Sequence, residues 1–190
     1  MKSKFTRKEI KYAQTIGSLF LMAFVVYGFG RHFFESEYVI TKYVGATLIL
    51  LNSTIVLFIG ILFRKTLQGY NLFVGHVYLA TRIFEAITLA SLVLTLVPAV
   101  NFSDDYGYYA AMVGLGVGSI PMCLTLYKHR ISPPWLALWG IIGYTVFAVG
   151  FLMEFYGKEW SMFLLIPGGL WEITFALWLI IKGGNPSESP

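Results

Sequence analysis

Arg82, Glu85 and Glu172 are the residues of this chain whose type and position point most directly to chemistry. Arg82 and Glu85 lie three residues apart in the apolar run Gly75–Val97, so on a helix both project from one face. A run of that length crosses a bilayer. A charge at the bilayer centre costs about 3 kcal/mol on insertion scales. Glu172 lies well inside a second apolar run, Trp160 to Ile181. At a helical rise of ~1.5 Å per residue, all three groups come near one midplane. Their formal charge is −1 if all are ionised. Arg82 can pair with one carboxylate, leaving the other protonated, hydrogen-bonded or facing water. Two uses fit this set. It lines a ligand cavity, or it locks helix three to helix six and does nothing else.

Other polar groups lie at similar depth. Tyr78 is one turn before Arg82 on the same face, Asn52, Ser53 and Thr54 lie midway along a second apolar run, and Tyr144 and Thr145 midway along a fifth. They either complete a polar cavity or act as interhelical hydrogen-bonders, which membrane bundles use as glue. Pro167-Gly168-Gly169 stands just before Glu172. It predicts a kink or a break, and a half-helix starting near Gly169 would aim its positive end at Glu172. Asn52-Ser53-Thr54 matches a glycosylation sequon, but at this depth the match carries no meaning.

The chain offers little for other chemistries. Gly114-Leu115-Gly116-Val117-Gly118-Ser119 follows no strand, so it is not a dinucleotide loop. Gly114 and Gly118 instead form a small-residue face for close helix contact. A homo- or hetero-oligomer through helix four is the partner such a face would support. His32, His76 and His129 show no metal-ligand spacing, and a His76–Glu85–Glu172 site would join residues of different faces and depths. No serine, cysteine or lysine stands beside a base, so the reading leans away from an enzyme. No motif identifies a cofactor.

The elements that must position these residues follow from composition. The 190 residues are 57% hydrophobic and 13% charged, against about 25% charged in soluble proteins. Six apolar segments emerge, at about 14–33, 44–63, 72–97, 108–127, 134–153 and 160–181. They are about twenty residues long without period-two alternation, so helices are expected, because lipid leaves no other partner for backbone groups. The chain is therefore read as an all-α integral membrane protein of six transmembrane helices. Residues 1–182 form one domain, and 183–190 a flexible polar tail. The N-terminal run is too long for a signal h-region and lacks a cleavage pattern, so it is read as an uncleaved first span.

Lysines and arginines set the orientation. Ten of them (Lys2, Lys4, Arg7, Lys8, Lys11, Arg64, Lys65, Lys128, Arg130, Lys182) fall on one side and three (Arg31, Lys42, Lys158) on the other. Both termini are then expected in the cytoplasm. A reporter fused to the C-terminus should accordingly be active on the cytoplasmic side; activity on the far side contradicts the count. The net charge of +4 does not indicate nucleic acid, since the basic residues lie at the ends of apolar segments. Membrane lipids are the surroundings expected. Phe84-Glu85 and Trp171-Glu172 occupy matching places in the two halves, a weak hint of an inverted repeat of three helices.

Three stretches carry a resemblance: GHVYLATRIFEAITL, LYKHRISPPWLALWGIIGY and PGGLWEITFALWLIIKG. With Arg82 and Glu85, the Pro133–Trp139 motif and the surroundings of Glu172, the chain resembles the bacterial six-span domain-of-unknown-function family numbered 4386. The likeness runs from the first span to Lys182. It implies a multi-pass protein of a bacterial or archaeal cell membrane and carries no established activity. The leading reading is a polytopic protein binding a small or lipophilic ligand or an ion in a midplane cavity, as a transporter or sensor would. The candidate lining is Arg82, Glu85, Glu172, Tyr78, Asn52 and Tyr144. A structural or accessory subunit with an Arg–Glu interhelical lock is the first alternative, and a lipid-modifying membrane enzyme the second.

Overall fold

A computed structural model describes residues 7–97, 104–157 and 160–183. Lys2, Lys4, Lys158 and the tail 184–190 lie outside the described residues. Among the described residues every regular element is helical: α1 (Arg7–Phe34), α2 (Val39–Leu67), α3 (Leu72–Ser91), α4 (Asp104–Lys128), α5 (Pro134–Glu154) and α6 (Ser161–Lys182). All six are long and apolar enough to cross a membrane. The helices start and stop where local chemistry directs. Asn71 caps α3 by accepting a hydrogen bond from the Val74 amide at 3.1 Å. Pro134, whose missing N–H is no loss in a first turn, opens α5. Gly183 closes α6 in the left-handed conformation at φ 58°. The end of α3 tightens into a 3-10 turn, Leu92–Leu96.

Each helix packs on its neighbours in sequence, and α6 returns to close on α1, giving a ring of six. Arg64, Lys65, Lys128, Arg130 and Lys182 gather at the end of the ring where α2, α4 and α6 finish, here called the basic end. Large apolar side chains such as Phe29, Phe58, Ile87, Val117, Ile142 and Ile181 cover the outside. That is the surface lipid requires.

The ring order removes the inverted-repeat expectation. A two-fold axis in the membrane plane reverses the sense in which helices follow one another around the ring. Here α1-α2-α3 and α4-α5-α6 follow in the same sense. The two aromatic–Glu pairs also differ, with Trp171 fully buried and Phe84 about half exposed.

One further expectation changes. The helix α6 runs unbroken through Pro167-Gly168-Gly169, so no half-helix ends near Glu172. Gly168 serves packing instead: a Cβ on Gly143 of α5 would stand 3.2 Å from the Gly168 Cα. Gly114 and Gly118 make the close helix contact expected of them, against α3, where added Cβ atoms would meet Phe84 and Thr81.

Candidate functional site

The inner faces of four helices converge at the middle of the ring. Helical spacing puts Tyr78, Arg82, Glu85 and Leu89 on the buried face of α3, and Asn52, Val56, Ile59 and Phe63 on that of α2. The helix α5 contributes Tyr144 and Phe147, and α6 Trp171 with Glu172 beside it. Gly60 of α2 lets Arg82 lie close, since a Cβ there would meet the Arg82 Cβ at 2.7 Å.

Arg82 organises the charges. Its Nε and Nη2 donate to the Tyr78 hydroxyl oxygen at 2.8 and 2.6 Å. Its Nη1 donates to Glu85 Oε2 at 2.8 Å. The guanidinium also lies over the rings of Phe20 and Tyr78, 5.2 and 5.0 Å from their centroids. Every one of its three nitrogens is therefore engaged. Across the ring, Glu172 Oε1 accepts from the Tyr144 hydroxyl at 2.6 Å and stands 3.8 Å from Arg82 Nη2. That separation exceeds hydrogen-bonding distance. The short ion pair thus lies within α3, and only the long contact crosses to α6.

The arrangement encloses space. A cavity of about 120 Å³ is lined by Arg82, Glu85, Glu172 and Asn52, with Tyr27, Tyr108 and Phe147 among its aromatic walls. The Asn52 Oδ1 atom is buried without a hydrogen-bond partner among the described residues. A buried acceptor left open in this way costs about 1–3 kcal/mol unless something fills the role. Phe63 closes the side toward the basic end, with its ring 5.0 Å from Tyr78 and 6.1 Å from Phe175. Beyond that layer lies a space of about 30 Å³. The opposite part of the wall is thin. Phe24 of α1 is exposed, while Leu165 and Gly169 of α6 are partly exposed, so the cavity meets the lipid-facing surface between α1 and α6.

The structure brings Arg82, Glu85, Glu172 and Asn52 to the cavity wall, whereas Tyr78 and Tyr144, expected in the lining, stand behind it and hold Arg82 and Glu172. The structure does not bring in Ser53, Thr54 or Thr145, whose hydroxyls donate to carbonyls of their own helices. His76 lies against the Leu72 carbonyl and stays apart. Several lining residues, Phe147 among them, escaped sequence reasoning. Phe20, Tyr27 and Tyr108 read as ordinary span aromatics, and Gly169 as part of a break. Tyr27 and Tyr108 stack with centroids 6.1 Å apart, and a Cβ on Gly169 would meet nothing within 4 Å. Only the i, i+7 spacing of Phe20 and Tyr27 could have signalled a shared face.

Residues 99–183 match the family described as domain of unknown function (DUF4386). The matched stretch includes the Pro133–Trp139 motif and Glu172, and the resemblance read from the sequence holds there. It begins after Arg82 and Glu85. No curated protein and no solved structure matches the chain.

Proposed function

We propose that this multi-pass membrane protein, which carries the DUF4386 domain over residues 99–183, binds a small or lipophilic ligand or an ion in its central cavity. It would act as a transporter or sensor in a bacterial cell membrane, with both termini in the cytoplasm as the lysine and arginine count favours. One observation carries the reading: the charged set surrounds a space rather than filling it. Glu172 holds back from Arg82 at 3.8 Å, and Asn52 keeps an unused acceptor on the same wall. Intramembrane ionisable groups facing a cavity mark ligand or ion sites as a rule.

The 3.8 Å contact also favours a second reading, a structural subunit in which Arg82 and Glu172 fix α3 against α6. It is the weaker one, because the short pair joins residues of one helix and cannot hold two helices together.

Melting temperatures of wild type and Glu172→Gln, each with and without a panel of lipids and metabolites, separate the two. A binding site predicts that Glu172→Gln melts close to wild type, since glutamine keeps the volume and can still hydrogen-bond with Tyr144. The wild type should shift with at least one panel member, and the variant should lose that shift. A variant that melts much earlier, with no shift in either protein, would establish the lock instead.

A further inference from the structure

We propose that the cavity takes the head of a hydrophobic monocation, an alkylammonium whose chain leaves through the wall between α1 and α6. This rests on the binding reading above and narrows it to one charge class.

Charge is the first ground. Arg82 is a cation of the lining and Glu85 and Glu172 are its two carboxyl groups, so with both carboxyls ionised the wall lacks one cation. An anion would face that excess, and a neutral head would leave it in place. Hydrogen-bond capacity points the same way. Three of the five Arg82 N–H groups are engaged with Tyr78 and Glu85. Acceptor capacity is also open among the described residues: Asn52 Oδ1 has no partner, and the bonds to Glu85 and Glu172 use Oε2 and Oε1, leaving Glu85 Oε1 and Glu172 Oε2. A wall of unused acceptors selects a donor or a positive charge.

Shape supplies the rest. Phe20, Tyr27, Tyr108 and Phe147 line the cavity, and aromatic faces within about 6 Å attract ammonium groups, more strongly once desolvated. The volume of about 120 Å³ suits a compact head. For comparison, an engineered cavity of about 150 Å³ holds benzene. A chain attached to that head has an apolar way out past Phe24, Leu165 and Gly169 into the surrounding lipid. At Gly169 the absence of a side chain keeps this passage open.

The test uses the whole protein in maltoside micelles, titrated with dodecylammonium, dodecanoate and dodecanol at equal low concentrations. Melting temperature is read throughout. Dodecylammonium, whose head carries both the charge and N–H donors, should alone raise it in wild type. The half-saturating concentration should rise about tenfold or more in Glu172→Gln, as losing one charge-assisted contact implies. Gly169→Leu, which fills the passage and touches no charge, should do the same. Gly28→Leu, on the lipid-facing side of α1 with nothing near its Cβ, should behave as wild type. Should dodecanoate or dodecanol raise the melting temperature instead, with the effect lost in Gly169→Leu, the cation assignment falls and the cavity reading stands. If no probe shifts wild type, or Gly169→Leu responds like wild type, the passage and the assignment both fail.

Discussion

Arg82→Ala should destabilise the protein by about 3 kcal/mol or more, the penalty for leaving a buried charge without its partner. Arg82 is 3% exposed, and its loss strips Glu85 of its hydrogen-bond donor and the Tyr78 hydroxyl of two. Two carboxylates would then share one buried cavity with no cation. Adding Glu85→Gln removes one of those charges, so the double variant should recover part of the loss. Denaturant or thermal unfolding in detergent measures both. A double variant no more stable than the single would show that Glu85 is not the partner. Arg82→Lys should rescue poorly, because an ammonium lacks the planar fork that serves Tyr78 and Glu85 together.

Trp171→Ala is expected to have the next largest effect, about 3 kcal/mol. Its side chain is fully buried, stacked on Phe175 at 4.7 Å and set edge-on to Tyr144 at 5.1 Å. Its Nε1 donates to the Leu136 carbonyl at 2.6 Å, tying α6 to the start of α5. In lipid the driving force for such packing is contact between helices rather than escape from water, so an empty space is felt directly. Gly140 shows how tight the fit is: a Cβ there would stand 2.6 Å from the indole. Trp171→Phe should retain much of the packing and lose the hydrogen bond, giving a smaller drop in melting temperature. Equal effects of the two substitutions would mean that the hydrogen bond, not the packing, dominates. Tyr144 leans on this indole, so Trp171→Ala should also weaken any binding that depends on Glu172.

Much of this was legible before any coordinates, for identifiable reasons. Six spans stand out because hydropathy over twenty residues is a strong, local signal. Arg82 and Glu85 could be placed together because helical spacing alone decides it. Tyr144 and Asn52 could be matched to the charges by depth, since antiparallel spans of similar length share a midplane. Facing was harder. Thr145 follows Tyr144 in sequence yet is exposed, because one residue along a helix is a turn of about 100°. The ring order, which excludes an inverted repeat, depends on contacts between helices that no single span encodes. Pro167-Gly168-Gly169 misled for a local reason. A proline in a span can be carried within a continuous helix when neighbours pack closely, and Gly143 supplies that neighbour here. The opening at Gly169 is an absence of atoms, and sequence does not display absences.

The central claim is that the charged groups border an occupied space in the membrane and do not merely close on one another. A crystal structure grown from a lipidic mesophase measures this at the atoms concerned. The account predicts Glu172 held by Tyr144, short of direct hydrogen bonding to Arg82. It also predicts non-protein density among Asn52, Glu85 and Glu172, reaching toward Gly169. Arg82 bonded directly to both carboxylates, with the aromatic walls collapsed and no space between them, would contradict it.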